Sequence, residues 1–354
     1  MTAADRPLRI VLTADPELPV PPRLYGGIER VVDLLARGLA ERGHDVTLVA
    51  HPDSKTPARL VAWPGGSSES AVSTVRNAAR LATAVMGGRF DVIHSFSRLA
   101  YLAPLLRMRI PKLMTYQRPV TPRSIKLGTA LFGDTVWFSA ISHWMMQDVA
   151  HLARWRLVFN GVPLSTFRFQ PDVAGDAPFV FLGRIEEIKG PHLAIEIARR
   201  AGRRLVLAGN VPPEHEAWFD AHVAPHLDGD RVVYVGPVDD AQKNDLLGRA
   251  AAFLMPILWD EPFGIVMAEA MACGTPVIGL RRGAVPEVVE DGRTGFVRDD
   301  VDGLVRALAD LDGIDRAACR ERVERLFSDD AVVEGYLAIY REMIASAGPG
   351  RRSP

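Results

Sequence analysis

The sequence predicts an α/β protein with two parallel-sheet domains, one in each half of the chain. At 354 residues it is long for one domain and sufficient for two, each burying its own core. Short apolar runs typical of buried strands alternate with segments of helical periodicity. This alternation breaks near the middle of the chain and then starts again, which indicates two domains of similar size.

The first half opens with a strand, a helix and a second strand. The run 8–14 is typical of a buried strand, helical apolar spacing covers about 28–42, and the next strand covers 45–50. Such a unit joins parallel strands through a right-handed crossover. Gly26 and Gly27 stand at the helix start, where backbone N–H groups can approach a phosphate or a sugar.

Further strands are predicted in the first half, with one more helix between them. The strands cover 60–63, 90–94, 112–116, 136–141 and 157–159, and the helix covers 70–86. His94 ends one of these strands. Because ligands bind beyond the carboxyl ends of strands in open α/β sheets, His94 stands where a site histidine would lie. A histidine of the core is the other interpretation.

The second half repeats the pattern after a break rich in proline and glycine. Its strands are predicted at 179–182, 204–208, 231–235, 252–255 and from 275, with a last short strand entered through the turn at 292–296. Its helices are predicted at 191–201, 241–250, 263–273, from 286, 302–310 and 331–345. We therefore divide the chain into a first domain, 1–165, and a second domain, 172–335. The remainder, 336–354, is predicted to hold the end of the last helix and a disordered tail.

The stretch WDEPFGIVMAEAMACG, which covers 259–274, carries the strongest functional signal. It predicts a turn followed by a helix, and the first backbone N–H groups of a helix have no partner within it. Three such groups belong to Phe263, Gly264 and Ile265. This end of the helix is an anion site, and the glycine admits a phosphate. Glu261 lies just before the helix. Glu269 lies inside it, and the tilt of helical side chains aims Glu269 back toward the N-terminal end. Carboxylates beside a phosphate suggest bound hydroxyls, such as those of a sugar and a ribose.

Composition excludes several classes of protein. No apolar run is long enough for a membrane span, and the N-terminal residues lack the apolar region of a secretory signal. The two cysteines, Cys273 and Cys319, have neither metal spacing nor a disulfide framework, so we expect a cytoplasmic protein. The sequence has no Walker phosphate-binding loop, no Gly-x-Ser-x-Gly elbow and no HExxH motif, and the glycine fingerprint of dinucleotide-dependent dehydrogenases does not follow the first strand.

Two acid pairs could suggest a metal, namely Asp228 with Asp230 and Asp300 with Asp302. Both pairs stand in turn-like sequence, so we interpret them as turns and helix caps and predict no metal site.

The net charge of −1 conceals an asymmetry between the halves. Residues 1–165 hold 20 Lys and Arg against 12 Asp and Glu, and the remainder holds 22 against 31. No acid occurs between Asp91 and Asp134, although seven basic residues do. A surface of one sign can attract an anionic ligand or a membrane. A solvated face is the other interpretation.

Two motifs of the second half together resemble the family-four retaining glycosyltransferases. One is the pair Glu261 and Glu269 around Pro-Phe-Gly, and the other is Gly-Arg followed by Lys-Gly, here with Arg184 and Lys189. The resemblance implies two Rossmann-like domains facing across a cleft, the fold called GT-B. It also implies that Glu261 contacts the donor sugar, Glu269 the ribose, and Arg184 and Lys189 the diphosphate. An arginine and a lysine can balance a leaving diphosphate without a metal.

The resemblance extends to the base and to the first domain. It implies that the base lies near Asn210 and Gly236, and that the loop with Gly26 and Gly27 closes over the donor. His94 matches the first histidine of the family's Asp-x-x-His-x-His text, and Phe96 replaces the second. Pro163 likewise replaces the aspartate of the usual Asn-Gly-Val-Asp.

The predicted function is metal-independent transfer of a sugar, with retention, from a nucleotide-diphosphate sugar to an acceptor hydroxyl. The catalytic candidates are Arg184, Lys189, Glu261 and His94. No cofactor is predicted beyond the nucleotide sugar, and no nucleic-acid partner. The acceptor is unassigned; an anionic or membrane-associated acceptor, with the protein peripheral at the membrane, is left open. Two alternatives stay open, a non-catalytic nucleotide-sugar-binding relative and a sugar-nucleotide epimerase. The base, the sugar and the oligomeric state are not predicted.

Overall fold

The computed structural model describes residues 6–22 and 26–347, which form two compact units. The first unit holds the residues up to Asn160 and those from Asp329 onward, and the second spans Gly161–Ser328. The sequence-based division at 1–165, 172–335 and 336–354 differs from this one, because the whole final helix belongs to the first unit. The predicted disordered tail, 348–354, lies outside the described residues.

The first unit contains seven strands and four of the described α-helices before Asn160. In chain order these are β1 (Arg9–Thr13), α1 (Gly27–Glu41), β2 (Asp45–Ala50), β3 (Arg59–Ala62), α2 (Ala71–Met86), β4 (Val92–Ser95), β5 (Lys112–Tyr116), α3 (Pro122–Phe132), β6 (Val136–Ala140), α4 (His143–Met146) and β7 (Trp155–Leu157). Ser70 caps α2 and Thr121 caps α3, each accepting a backbone N–H three residues on.

The seven strands form one parallel sheet in the order β3-β2-β1-β4-β5-β6-β7. The strand order reverses between β1 and β4. α1 connects β1 to β2 in one direction along the sheet, whereas α2, between β3 and β4, and α3, between β5 and β6, connect strands in the opposite direction. Because such crossovers are right-handed, α2 and α3 cover the face of the sheet opposite to α1.

The second unit contains six strands and seven α-helices among the described residues. They are β8 (Phe179–Leu182), α5 (Pro191–Arg200), β9 (Leu205–Ala208), α6 (Glu216–His222), β10 (Val232–Tyr234), α7 (Asp240–Gly248), β11 (Ala252–Met255), α8 (Ile265–Ala272), β12 (Val277–Leu280), α9 (Val285–Val288), β13 (Gly295–Arg298), α10 (Val301–Ala307) and α11 (Arg316–Leu326). Its parallel sheet has the order β10-β9-β8-β11-β12-β13. β8 and β11 are therefore the neighbours at which the order reverses, and ligands of open α/β sheets bind at the carboxyl ends of such a pair.

The last helix, α12 (Asp329–Ser346), packs against α1 of the first unit. Its residues Tyr336 and Tyr340 are fully buried there. The chain thus leaves the first unit at Asn160 and returns to it after the second unit is complete.

The structure differs from the predicted elements at several points. The helix predicted at 263–273 begins at Ile265, because Gly264 has a φ of 76° and so cannot be a helical residue. The strand predicted from 275 covers Val277–Leu280. The sequence analysis missed α3, α4, α6 and α11.

Candidate functional site

The loops after β8 and β11 converge at the carboxyl edge of the second unit's sheet. After β8 the chain passes through Arg184 to a 3₁₀ turn, Glu187–Lys189, and Gly190 then caps α5. A Cβ at position 190 would lie 2.1 Å from the carbonyl oxygen of Pro256, which follows β11. Gly190 also has a φ of 77°. The close approach of the two loops therefore requires glycine, and it brings Lys189 beside the loop that carries Glu261.

Lys189 and Glu261 form an ion pair at this edge. The Nζ of Lys189 lies 2.7 Å from Oε2 of Glu261, and the side chains are only 18% and 13% exposed. The indole N–H of Trp259 donates to the same carboxylate oxygen at 3.0 Å, and the ammonium lies 4.8 Å from the centre of the indole ring. Two residues that the sequence assigned to diphosphate and sugar are thus in contact, and Trp259 joins them.

The loop after β12 fixes the backbone around Glu261. The N–H of Ala284 donates to the carbonyl of Glu261 at 2.8 Å, and the N–H of Gly283 donates to Oδ1 of Asp260 at 3.1 Å. The loop after β12 therefore holds the backbone that carries Glu261, while Lys189 and Trp259 contact its carboxylate.

Arg184 is oriented by a buried carboxylate. Its Nη2 lies 2.8 Å from Oε1 of Glu186, whose side chain is only 4% exposed. The other oxygen of Glu186 lies 3.2 Å from Nε2 of His215. The Arg184 side chain as a whole stays about one third exposed, so it remains accessible to an anion from solvent.

Glu269 is paired with Lys243, a residue that the sequence analysis did not single out. Nζ of Lys243 lies 2.6 Å from Oε1 of Glu269, and the side chains are 12% and 8% exposed. The ammonium also lies 5.4 Å from the ring centre of Phe167. Because Lys243 and Glu269 are far apart in sequence, on α7 and α8, no local spacing could have predicted the pair.

The remaining residues predicted to bind the nucleotide sugar lie along the same edge, and Phe263 can contribute only its backbone. Gly209 follows β9 and donates its N–H to the carbonyl of Gly236 at 2.9 Å, which places Asn210 next to Gly236. Gly264 and Ile265 form the start of α8. The Phe263 ring is 1% exposed and packs edge-on against Phe327, so its side chain belongs to the core.

The structure places His94 in the core of the first unit. Its side chain is fully buried, Nδ1 lies 2.6 Å from the hydroxyl of Tyr340, and Nε2 lies 2.6 Å from that of Thr115. The Phe96 and Tyr336 rings cover it, with centroids 4.2 and 4.6 Å away. Burial holds the pKa of His94 well below its usual range. The arrangement is that of a core histidine, the other interpretation in the sequence analysis, and no ring nitrogen is exposed to a substrate.

Gly26 and Gly27 stand at the carboxyl edge of the first unit's sheet, at the start of α1. Gly26 has a φ of 149°, and a Cβ there would lie 2.8 Å from a carboxylate oxygen of Glu29. Burial, together with nearby Glu17, raises the pKa of Asp15, which follows β1, to about 6. The sequence analysis did not single out Asp15, Glu17 or Glu29, and it is the fold that brings Glu29 of α1 close to the two acids after β1.

The two acid pairs serve as a turn and a cap, which confirms their interpretation. Asp228 accepts the backbone N–H groups of Asp230, Arg231 and Val232, and Asp300 accepts that of Gly303 at the start of α10. Within residues 6–22 and 26–347, no three His, Cys, Asp or Glu side chains are grouped to hold a metal ion. None of the described helices has the length and apolar character needed to span a bilayer.

Comparison with known proteins identifies the family to which this fold belongs. The profile described as Glycosyltransferase Family 4 matches residues 25–166, and that described as Glycosyl transferases group 1 matches residues 177–312. The fold is that of the GT-B glycosyltransferases. The chain belongs to the family-four, or group 1, glycosyltransferases.

Three relatives illustrate the similarity. The phosphatidyl-myo-inositol mannosyltransferase of Mycolicibacterium smegmatis is 27% identical over 91% of this chain and 92% of its own. The crystal structure of AviGT4, a glycosyltransferase involved in avilamycin A biosynthesis, is 27% identical with a TM-score of 0.73, and covers 96% of this chain and 99% of its own. Anabaena HepE in complex with UDP and glucose is 16% identical with a TM-score of 0.73, and covers 95% of this chain and 100% of its own.

Proposed function

We propose that this protein transfers a sugar, with retention of configuration and without a metal, from a nucleotide-diphosphate sugar to an acceptor hydroxyl. The observation that carries the proposal is the contact between Lys189 and Glu261 at the reversal point of the second sheet. It joins a cation suited to phosphate with a carboxylate suited to hydroxyls. The ammonium has three donors, so it can keep Glu261 and also contact a phosphate oxygen.

The chemistry proposed is electrostatic stabilisation of the leaving diphosphate. Arg184 and Lys189 would balance the charge that grows as the sugar–phosphate bond breaks. Glu186 supports this role for Arg184, because its buried carboxylate fixes the guanidinium before the donor arrives. Glu261 would bind the sugar, Glu269 the ribose, and the backbone at Gly264 and Ile265 the phosphates.

The base would lie near Asn210 and Gly236, whose loops meet at the outer strands of the sheet. The loop with Gly26 and Gly27 would shape the acceptor side. His94 is left out of the catalytic set, since it is buried and both ring nitrogens are hydrogen-bonded. The nucleotide sugar is proposed as the only co-substrate, in a cytoplasmic protein whose acceptor is anionic or associated with a membrane.

Calorimetric titration in EDTA with UDP, GDP, ADP and dTDP tests the donor site. We expect micromolar binding of one nucleotide that Arg184→Ala removes and that Arg249→Ala, an exposed arginine of the same unit, retains. Binding of none of them would contradict the proposal. Incubation of the matching nucleotide sugar with acceptor extracts then separates the alternatives. An epimerase converts the donor without an acceptor, and a non-catalytic relative binds it without turnover.

A further inference from the structure

The exposed surface of α2 and α3, which we call the α2–α3 face, combines apolar and basic side chains. Among the residues that the structure describes, the exposed large hydrophobic side chains of the first unit all lie on these two helices; they are Val72, Val75, Met86, Leu127 and Leu131. Val72, Val75 and Met86 are 68–69% exposed, and Leu127 and Leu131 are 52% and 46% exposed. Apolar side chains grouped on one surface mark an interaction site more often than single ones do.

Basic residues occupy the same helical faces. Arg76 and Arg80 on α2, and Arg123 and Lys126 on α3, are exposed. Between Glu69 and Asp134 the chain holds ten Lys and Arg and a single acid, Asp91. That acid is engaged by Arg6, whose guanidinium donates to both carboxylate oxygens at 2.8 and 3.0 Å. The face therefore carries positive charge that no acid of its own segment balances.

The two helices belong to one layer of the first unit. Right-handed crossovers put both on the face of the sheet opposite to α1. The 3₁₀ segment Leu99–Leu105 lies between them, since it packs against α2 and since Gly128 of α3 lies against Leu99. By contrast, Arg37 on the exposed side of α1 is paired with Asp33 at 2.8 Å. The unbalanced positive surface is thus a property of one side of this unit.

We propose that the α2–α3 face binds the surface of an anionic lipid bilayer. Exposed valine, leucine and methionine side chains can enter the interface between headgroups and acyl chains, while arginine and lysine contact the phosphates. A basic surface for nucleic acid needs the charge but not the apolar side chains, so their combination favours a bilayer. This inference adds to the proposed function the surface by which the protein binds a membrane. Its consequence, that the acceptor is carried by the membrane, rests on the proposed function.

Co-sedimentation of the full chain with vesicles tests the proposal without any donor. The vesicles consist of phosphatidylcholine alone or mixed with phosphatidylglycerol. We expect binding to the mixed vesicles only, weakened by salt. A basic residue at such a surface contributes roughly fivefold to binding, so Arg76→Glu/Arg123→Glu should reduce binding by at least about 25-fold. Arg249→Glu/Arg325→Glu, on exposed positions of the second unit, makes the same change in net charge and should reduce binding by less than about twofold.

The apolar side chains are tested by Val75→Ser/Leu127→Ser, with Val235→Ser as the exposed apolar control in the second unit. We expect a loss of roughly tenfold or more in the double variant, because each buried apolar side chain contributes to insertion. The proposal is wrong if the wild-type protein does not bind mixed vesicles at low salt. It is also wrong if Arg249→Glu/Arg325→Glu loses as much binding as Arg76→Glu/Arg123→Glu. Binding that needs the arginines but not the apolar side chains also overturns it and indicates a polyanion such as nucleic acid.

Nucleotide titration on the same variants keeps this inference apart from the proposed function. Vesicle binding by a chain that binds no nucleotide would refute the donor site alone. Nucleotide binding with no vesicle binding would refute the membrane surface alone.

Discussion

Lys243 and Glu269 form an ion pair that is almost completely buried, with Nζ 2.6 Å from Oε1 and side-chain exposures of 12% and 8%. A buried charge without its partner is strongly destabilised, so each member fixes the other. Lys243 is therefore a positioning residue for the carboxylate that we assign to the ribose.

The first prediction concerns this positioning. Lys243→Met should lower the preference for a ribonucleoside diphosphate over its 2′-deoxy analogue by about tenfold, because the unpaired Glu269 would move or take up a proton. Calorimetry with both nucleotides measures the ratio. Lys243→Arg keeps a positive charge and should retain most of the preference. If Glu269→Gln lowers the ratio and Lys243→Met does not, the positioning role is wrong.

The second prediction concerns the leaving group. Lys189→Ala should lower kcat by about 100-fold or more, since it removes a cation beside the developing charge. The variant should still fold, because the indole N–H of Trp259 continues to donate to Glu261 when the lysine is removed. Steady-state rates and a melting curve measure both quantities, with Arg249→Ala as the control. Full activity in Lys189→Ala would refute the assignment. Glu269→Ala, by comparison, should chiefly weaken nucleotide affinity.

The third prediction follows from the burial of His94. Burial lowers its pKa in the folded protein, so below the unfolded value of about 6.5 the unfolded chain binds a proton that the folded chain does not. Above that pH, protonation of His94 should not reduce the free energy of unfolding of the first unit. As the pH falls from about 6.5 toward the folded pKa, up to about 1.4 kcal/mol should be lost per pH unit.

Hydrogen exchange of the β4 and α12 amides at pH 7 and at pH 5.5 measures this loss. His94→Gln should remove most of the difference between the two pH values, whatever its effect at pH 7. His151→Gln, at an exposed histidine of the same unit, should leave it intact. An unchanged difference in His94→Gln would show that another group is responsible.

The fourth prediction concerns Arg316, which is 9% exposed. Its guanidinium donates to the hydroxyl of Thr275 and to four backbone carbonyls, those of Gln170, Gly248, Ala250 and Cys273. Arg316→Met should cost about 3 kcal/mol or more, because these carbonyls would stay buried without donors. Urea unfolding measures the loss, and Arg325→Met, exposed on the same helix, should cost less than about 0.5 kcal/mol. Equal stability of the two variants would contradict this role.

Much of the fold follows from the sequence because parallel strands buried on both faces are continuous apolar runs. All six strands of the second unit could be placed to within a few residues, and the motifs around Lys189 and Glu261 lie on the loops after β8 and β11. The start of α8 was placed two residues early. The helix starts after Gly264 because the backbone of that residue is left-handed. A glycine permits this conformation, but its presence in the sequence does not predict it.

What the sequence could not predict depends on contacts between distant segments. Lys243 meets Glu269, and Glu186 meets His215, only through the order of the strands. His94 illustrates the reverse error. Its position at a strand end suggested a site, yet Tyr336 and Tyr340 from the last helix enclose it. No pattern around position 94 could show this.

The return of the chain to its first unit makes the second unit an insertion with adjacent ends. Val162 bridges to Ser328, and its N–H donates to the carbonyl of Phe327 at 2.8 Å. During synthesis, residues up to Asn160 leave the ribosome long before α12 can cover His94. The second unit can therefore complete its fold first. The first unit, although it is synthesised first, completes its fold last, when α12 is added.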